Sequence, residues 1–413
     1  MKTVSTKTKP AKQGVSEKSG TAVRLNAHID PADLTTIVAV FTSGRTGSSL
    51  MSSLLDSHPW IAATPDCVLM GFYVFWEEFC DLKRDALIGT FIDQFRSLFD
   101  GAAPPKNSKS WACYGGRIGF TNMGENRDQT LSAHVDVFRS SMREMLPRGK
   151  TVIRRVFLQA LHVAYADAIG HRLEKGAIIS MGLHSTSRPG VTALTEDFIN
   201  VRLLHMVREP IQTLGSHFRH KQVAGDLNSR TPWMMVRNRF LSGSQALENV
   251  KFRSRAVRLE DLHQAPKRTM SAVCGWLGIP WDDALLHSTF NGLKFWNDKT
   301  SAHQVSGFSK EIIAQKHEAY ISRFDRFRYT VIFARRFQAF DYFLHNTFLC
   351  QRIVLAMLLP SFVFPFRTEM LANKGGWRLG SLKYFIKLRL LVLHYTLSPP
   401  DTVPVLRPNI IES

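Results

Sequence analysis

A chain of 413 residues, 44% apolar and 21% charged, has an ordinary globular composition and is long enough to bury the core of one or two domains. Its 53 Lys and Arg against 34 Asp and Glu leave a net charge of +19, which favours anionic partners: nucleic acid, a phosphorylated cofactor or an acidic membrane surface. Five widely spaced cysteines, with no CxxC pair, argue against a disulfide framework or a zinc site, and a reducing compartment is expected.

Residues 1–34 open with a basic, polar stretch that lacks the apolar run of a secretory signal, and a disordered tail is expected there. From 35 to about 330, apolar strand-like runs alternate with helical patterns, which predicts a parallel sheet covered by helices. Strands are expected at 36–41, 151–154, 177–181, 201–207 and 255–259. Helices are expected at 48–57, 68–79, 86–99, 158–173, 211–222, 233–249 and 266–277. The segment 101–124, rich in Gly, Pro, Ser and Asn, reads as a loop near the active face.

Residues 331–413 change character to aromatic, aliphatic and basic, notably at 333–337, 353–366 and 384–394. Two readings stand side by side: an extra helical layer on the sheet, or an in-plane membrane contact with Lys and Arg near the headgroups. The second reading would place a cytoplasmic protein at the inner face of a membrane. No run of about twenty uninterrupted apolar residues occurs, so a conventional membrane span is not expected. Arg352, Pro360 and Pro365 add to that argument.

The most informative stretch is where the first β-branched run ends, at Thr42-Ser43-Gly44-Arg45-Thr46-Gly47-Ser48-Ser49. A helical pattern with Leu50, Met51, Leu54 and Leu55 follows. A strand, a turn with two glycines and a helix N-terminus make a cradle for an anion, because backbone N–H groups and the helix dipole both favour negative charge there. Arg45 adds a cation, and Thr46, Ser48 and Ser49 add hydroxyl donors. A Walker loop requires GxxxxGK[ST]. Here two residues separate the glycines and no Lys follows the second, which disfavours an NTP loop. A nucleotide whose 5′-phosphate carries a transferable group suits it better.

A second apolar strand, 201–207, ends at Arg208-Glu209-Pro210, and Pro210 suits a first helical position. Arg208 would stand at the strand's C-terminal edge, where open α/β sheets bind ligands. Ser216 lies eight residues on, about two helical turns away, and could face the same pocket. Alone, such an Arg-x-Pro is more often a structural cap. Paired with the first loop it becomes more specific.

This pair resembles the nucleotide-binding motifs of sulfotransferases that use 3′-phosphoadenosine-5′-phosphosulfate (PAPS). The Arg45-Thr46-Gly47-Ser48-Ser49 loop is similar to the 5′-phosphosulfate motif in the Arg-type variant of carbohydrate sulfotransferases. Arg208, Pro210 and Ser216 match the 3′-phosphate motif. Val257-Arg-Leu-Glu260-Asp261-Leu262, followed by Pro266 and by Trp276-Leu-Gly-Ile-Pro280, resembles the strand, turn and helix after the nucleotide core. The resemblance covers roughly 35–300 in matching order and spacing. It implies an α/β fold with a P-loop-like central parallel β-sheet flanked by helices, to which the helical C-terminal region is added.

The implied chemistry is in-line sulfuryl transfer from PAPS to a hydroxyl, dominated by positioning and charge stabilisation and requiring no metal. Arg45 would neutralise developing charge. Gly44, Thr46, Gly47, Ser48 and Ser49 would hold the 5′-phosphate, and Arg208 and Ser216 the 3′-phosphate. His184 is the first candidate for general base, from its place after the strand at 177–181, with Glu77 and Glu78 as runners-up. His58 reads as a loop histidine. The expected acceptor is a carbohydrate or glycolipid.

Three departures from the family pattern are visible. Leu50 stands where cytosolic members have Trp, Met181 stands where many relatives have Lys, and the C-terminal 3′-phosphate clamp is not evident; Ser301-Ala-His303-Gln-Val-Ser306-Gly307 falls near its place. Two alternatives remain open: a P-loop kinase or NTPase-like phosphotransferase, and a non-catalytic polyanion- or membrane-binding protein. No nucleic-acid motif is seen, so no nucleic-acid partner is expected. Oligomeric state is not legible.

Overall fold

Most of the apolar runs become strands of one sheet in the computed structural model, which describes residues 24–42, 44–106, 115–149, 151–184, 188–241, 253–297, 304–314, 319–342, 363–397 and 403–407. Strands β1 (Thr36–Thr42), β2 (Ile61–Ala63), β3 (Ile178–His184), β4 (Asn200–Val207) and β5 (Arg253–Arg258) pair in the order β2-β3-β1-β4-β5. Every neighbouring pair is parallel. Register sets Thr42 opposite His184 and Val207 opposite Arg258, so the carboxyl ends of these strands share one edge. An α/β fold with a helix-flanked parallel sheet is therefore what the chain adopts.

The helices in chain order are α1 (Ser48–Leu55), α2 (Phe72–Phe79), α3 (Arg84–Gln94), α4 (Gly115–Ile118), α5 (Val135–Met145), α6 (Arg154–Ile169), α7 (Arg188–Asp197) and α8 (Pro210–Val223). After them come α9 (Thr231–Leu241), α10 (Leu259–Gln264), α11 (Pro266–Leu277), α12 (Lys310–Ala314), α13 (Arg323–Ile332) and α14 (Ala334–Ala339). A short helix at Arg367–Ala372 and the C-terminal helix Leu379–Leu397 follow. Local chemistry fixes several ends. Pro210 and Pro266 open α8 and α11 near their first positions, and Gly170 and Gly278, both left-handed, close α6 and α11.

The period-two alternation of β1 decides which helices go where. Ile37, Ala39 and Phe41 face a core shared with α2, α3, α5 and α6, whereas Val38 and Val40 face α1 and α11. Both faces are dry, as parallel sheets require. Helix α6 is buried from Phe157 to Ala168, which makes it the central helix of its layer. Phe72, Phe91 and Trp76 pack on Phe157 at centroid distances of 5.5–6.2 Å, so truncating Phe157 would cost about 3–5 kcal/mol.

The structure departs from expectation at several points. Residues 151–153 form no strand and lead directly into α6; Ile153 is 65% exposed, which an internal parallel strand could not tolerate. β2 is a three-residue strand between His58-Pro59 and Thr64-Pro65, too short to carry a periodic signal. The expected tail is packed from Arg24 onward: Asn26 is fully buried and its amide groups donate to Asp167 Oδ1 at 2.8 and 3.0 Å, while Arg24 pairs with Asp167 Oδ2 at 3.2 Å. Residues 1–23 lie outside the described residues. The expected boundary at 330/331 falls inside α13.

A third core spans that position. Ile211, Leu214 and Phe218 of α8 and Val236 of α9 pack with Tyr329, Phe333, Phe366, Leu388 and Val392. Most of the expected element at 353–366 lies outside the described residues. The chain then returns to the sheet at 403–407, where Val405 bridges β5 in parallel and Ala256 exchanges two backbone hydrogen bonds of 2.8 Å with Pro404 and Leu406. Among the described residues, no helix is long and apolar enough to cross a membrane.

One buried acid yields a stability prediction. Asp56, at the C-terminal end of α1, accepts from Gly292 N (3.2 Å), Thr289 Oγ1 (3.3 Å) and Ser57 Oγ (3.2 Å). Burial outweighs these bonds and pushes its pKa from 3.8 to about 6. The native carboxyl thus holds its proton more tightly than the unfolded one. Its contribution to stability is present below about pH 4 and is lost as pH rises through about 6. Asp56→Asn is expected to remove up to ~3 kcal/mol of that pH dependence. Denaturant unfolding at a series of pH values measures it, and an unchanged slope between pH 4 and 7 would refute the assignment.

Candidate active site

Sharp backbone turning begins where β1 ends. Gly44 (φ +84°), Arg45 (+58°) and Gly47 (+90°) all adopt left-handed conformations, which reverse the chain into α1. Such a conformation costs a non-glycine residue roughly 1–2 kcal/mol, so Arg45 is held there by its surroundings. Both glycines also sit against the tips of neighbouring side chains. A Cβ on Gly47 would lie 2.4 Å from Leu259 Cδ1, and one on Gly44 would lie 2.9 Å from His217 Nε2. The loop is therefore wedged between the starts of α10 and the second turn of α8. Gly47 is the N-cap of α1, and among the described residues no side chain caps that helix end. The positive end of α1 is directed to this turn.

The two sequence motifs meet here. Arg45 Nε donates to Ser216 Oγ at 3.4 Å across the gap between loop and α8. Arg208, just beyond β4, is 7% exposed and donates from Nη2 to Ile312 O at 2.9 Å. Its buried Nε has no hydrogen-bond partner among the described residues. Burial depresses the Arg208 pKa below the usual arginine value; Glu260 opposes this, and the nearby charge of Arg45 adds to it. Two guanidinium groups that repel each other, one with a buried donor unspent, are what an anion would stabilise.

Glu260 and Asp261 brace this edge. Glu260 accepts from the Glu209 backbone N–H at 3.0 Å and from the Tyr342 hydroxyl at 2.8 Å, which fixes the turn that leads into α8. Asp261 takes a bidentate pair from Arg258 at 2.6 and 2.7 Å. The segment 304–314 crosses the same region. Ser309 N donates to His263 Nδ1 at 3.0 Å, and Ile312 O reaches Arg208. Burial, and then the charge of Arg208, lowers the His263 pKa to about 4, so this imidazole stays neutral and can accept.

No protein-family model matches the chain, and no curated protein matches it in sequence. Among solved structures it is similar to the sulfotransferase domain from the curacin biosynthetic pathway, at 15% identity and a TM-score of 0.39, over 70% of this chain and 90% of that one. It is also similar to the sulfotransferase domain from the Synechococcus PCC 7002 olefin synthase, at 15% identity and a TM-score of 0.36, over 61% and 76% of the two chains. A third is sulfotransferase STF9 from Mycobacterium avium, at 14% identity and a TM-score of 0.30, over 61% and 65%.

The other expected residues divide. Thr46 is buried in the loop and Ser48 and Ser49 open α1. His184 is the last residue of β3, beside Thr42, so its backbone stands at the loop's entrance; its side chain lies outside the described residues, as do Ser43 and Ser301 to His303. Glu77 and Glu78 stand on the exposed face of α2, opposite the buried Phe72, Tyr73, Phe75 and Trp76. His58 lies in the loop between α1 and β2 and is fully buried there: it takes the Trp60 N–H on Nδ1 at 3.1 Å and donates from Nε2 to Pro280 O at 3.1 Å. Among the described residues no group of three or more His, Cys, Asp or Glu is placed to hold a metal ion.

Asp66 is the residue that the sequence reading missed. It is buried, adopts φ +43°, and accepts from Ser49 Oγ at 3.0 Å. Glycine lets it come this close. A Cβ on Gly182 of β3 would lie 2.4 Å from the Asp66 carbonyl oxygen, so the turn after β2 can cross directly over the strand. The only local signal is Thr64-Pro65-Asp66 after a three-residue strand.

Proposed function

We propose that the chain is an enzyme that transfers a sulfuryl group from PAPS to an acceptor hydroxyl. The observation that carries this reading is the meeting of Arg45, Ser216 and Arg208 at the carboxyl edge of a parallel sheet, with the buried Nε of Arg208 unspent. Bound there, PAPS would supply an activated sulfuryl group on a mixed anhydride. The start of α1 and the Gly44–Ser49 turn would hold the 5′-phosphate through backbone donors. Arg45 would face the bridging oxygen and stabilise the charge that grows there as the bond breaks. Arg208 and Ser216 would hold the 3′-phosphate.

The acceptor proton needs a receiver at the same edge. His184 and Asp66 are the two groups that position supports, one beside Thr42 and the other beside Ser49. Carbohydrate or glycolipid hydroxyls are the acceptors of choice, from the Arg-type loop and from Leu50 in place of Trp. A cytoplasmic location belongs to the same reading.

The test is incubation with radiolabelled PAPS and fractionated lysate, with chelator present. Label is expected in a hydroxylated product without added metal. Absence of label, together with turnover of ATP that requires Mg²⁺, would favour a kinase-type reading instead.

A further inference from the structure

The C-terminal helix Leu379–Leu397 is covered on one side only. Ser381, Leu388 and Val392 are buried, and the helix packs against α9, where Trp233 meets Tyr384 at 5.8 Å. On the opposite side Leu379, Leu382, Ile386, Leu390 and Leu393 are 45–88% exposed. Their spacings of three, four, four and three residues set them in a single stripe along the helix.

Charge is arranged around that stripe. Lys383 and Lys387 flank it on one side and Arg378 on the other; Arg389, on the Arg378 side, is mostly buried and already paired with Glu369 Oε1 at 2.6 Å, and the helix itself contains no acidic residue. Arg389 Nη2 also donates to Phe364 O at 2.9 Å, and Phe364 is itself 65% exposed.

The geometry points to this helix as an in-plane docking surface for an anionic lipid bilayer. Leu and Ile would enter the acyl boundary while the flanking cations meet phosphate headgroups. Pairing with a second copy is the poorer match, because both partners would present Arg378, Lys383 and Lys387 along the seam, and Glu369 beside it is buried and already taken by Arg389. The inference stands apart from the transfer chemistry, since vesicle binding and sulfuryl transfer are read separately.

Co-sedimentation of the full chain tests it, with vesicles of phosphatidylcholine alone or of phosphatidylcholine and phosphatidylglycerol in equal parts. Binding is expected to the mixed vesicles only and to weaken with salt. The variant Leu382→Ser/Ile386→Ser/Leu390→Ser should bind on the order of tenfold more weakly, at an unchanged melting temperature because these side chains are exposed. Lys383→Glu/Lys387→Glu should weaken binding to a similar degree. Equal binding by the serine variant would show that net charge alone attracts the protein and would overturn the proposal. So would absence of binding by the wild type, or a dimer in light scattering that the serine variant abolishes.

Discussion

Arg45→Ala is expected to slow sulfuryl transfer by roughly 10²–10³-fold or more, with nucleotide affinity changed far less. Arg45 is held in a left-handed conformation at the turn, and Ser216 fixes its Nε, so its charge is presented without reorganisation. An interaction that strengthens only as the sulfuryl group departs appears in the rate of the chemical step and not in ground-state binding. Single-turnover kinetics at saturating PAPS, beside a direct binding titration, separate the two. Arg45→Lys restores charge but has no Nε for Ser216, so it should recover only part of the rate. An Arg45→Ala rate within about tenfold of the wild type would remove Arg45 from the charge-stabilising role.

Arg208→Ala is expected to act on binding. On the proposed reading, a bound phosphate would take its buried Nε and relieve its repulsion from Arg45. A charge-assisted, partly bidentate contact to a phosphate of this burial is worth about 3 kcal/mol, or on the order of 10²-fold in affinity. The diagnostic readout is selectivity. The wild type should prefer adenosine 3′,5′-bisphosphate to adenosine 5′-monophosphate by that factor, and Arg208→Ala should bind the two alike. The melting temperature of the ligand-free variant should stay within a few degrees of the wild type, while the upward shift that the bisphosphate gives the wild type disappears. Retained discrimination between the two nucleotides would place the 3′-phosphate elsewhere.

Legibility in the sequence followed the range of the interaction. β1, β3 and β4 were readable as apolar runs, β5 only over its Ala256-Val257 end, and α11 matched the expected 266–277 because Pro266 and Gly278 mark both ends. The loop at Gly44–Ser49 was readable because its chemistry is consecutive. Arg208 and Ser216 were readable as a helix-spaced pair. What was hidden depends on contacts between distant segments. Asp66 reaches Ser49 only because Gly182, more than a hundred residues later, leaves room for its turn. Asn26 is ordered by Asp167, which a reading of its own polar surroundings cannot reveal. Tyr329 and Phe333, on either side of residue 330, belong to the same core as Phe218, a contact between distant segments that no local pattern announces.

The return of 403–407 to β5 bears on how the molecule behaves in a crowded solution. An open sheet ends in strands whose unpaired amides and carbonyls can recruit another chain, and the process propagates. At one margin of this sheet the last strand, β2, is only three residues long, which offers a poor template. At the other margin the Ala256 amide and carbonyl are already taken by Pro404 and Leu406. Both ends of the sheet are thereby poor seeds for fibril-like growth, by brevity at one side and by self-occupation at the other.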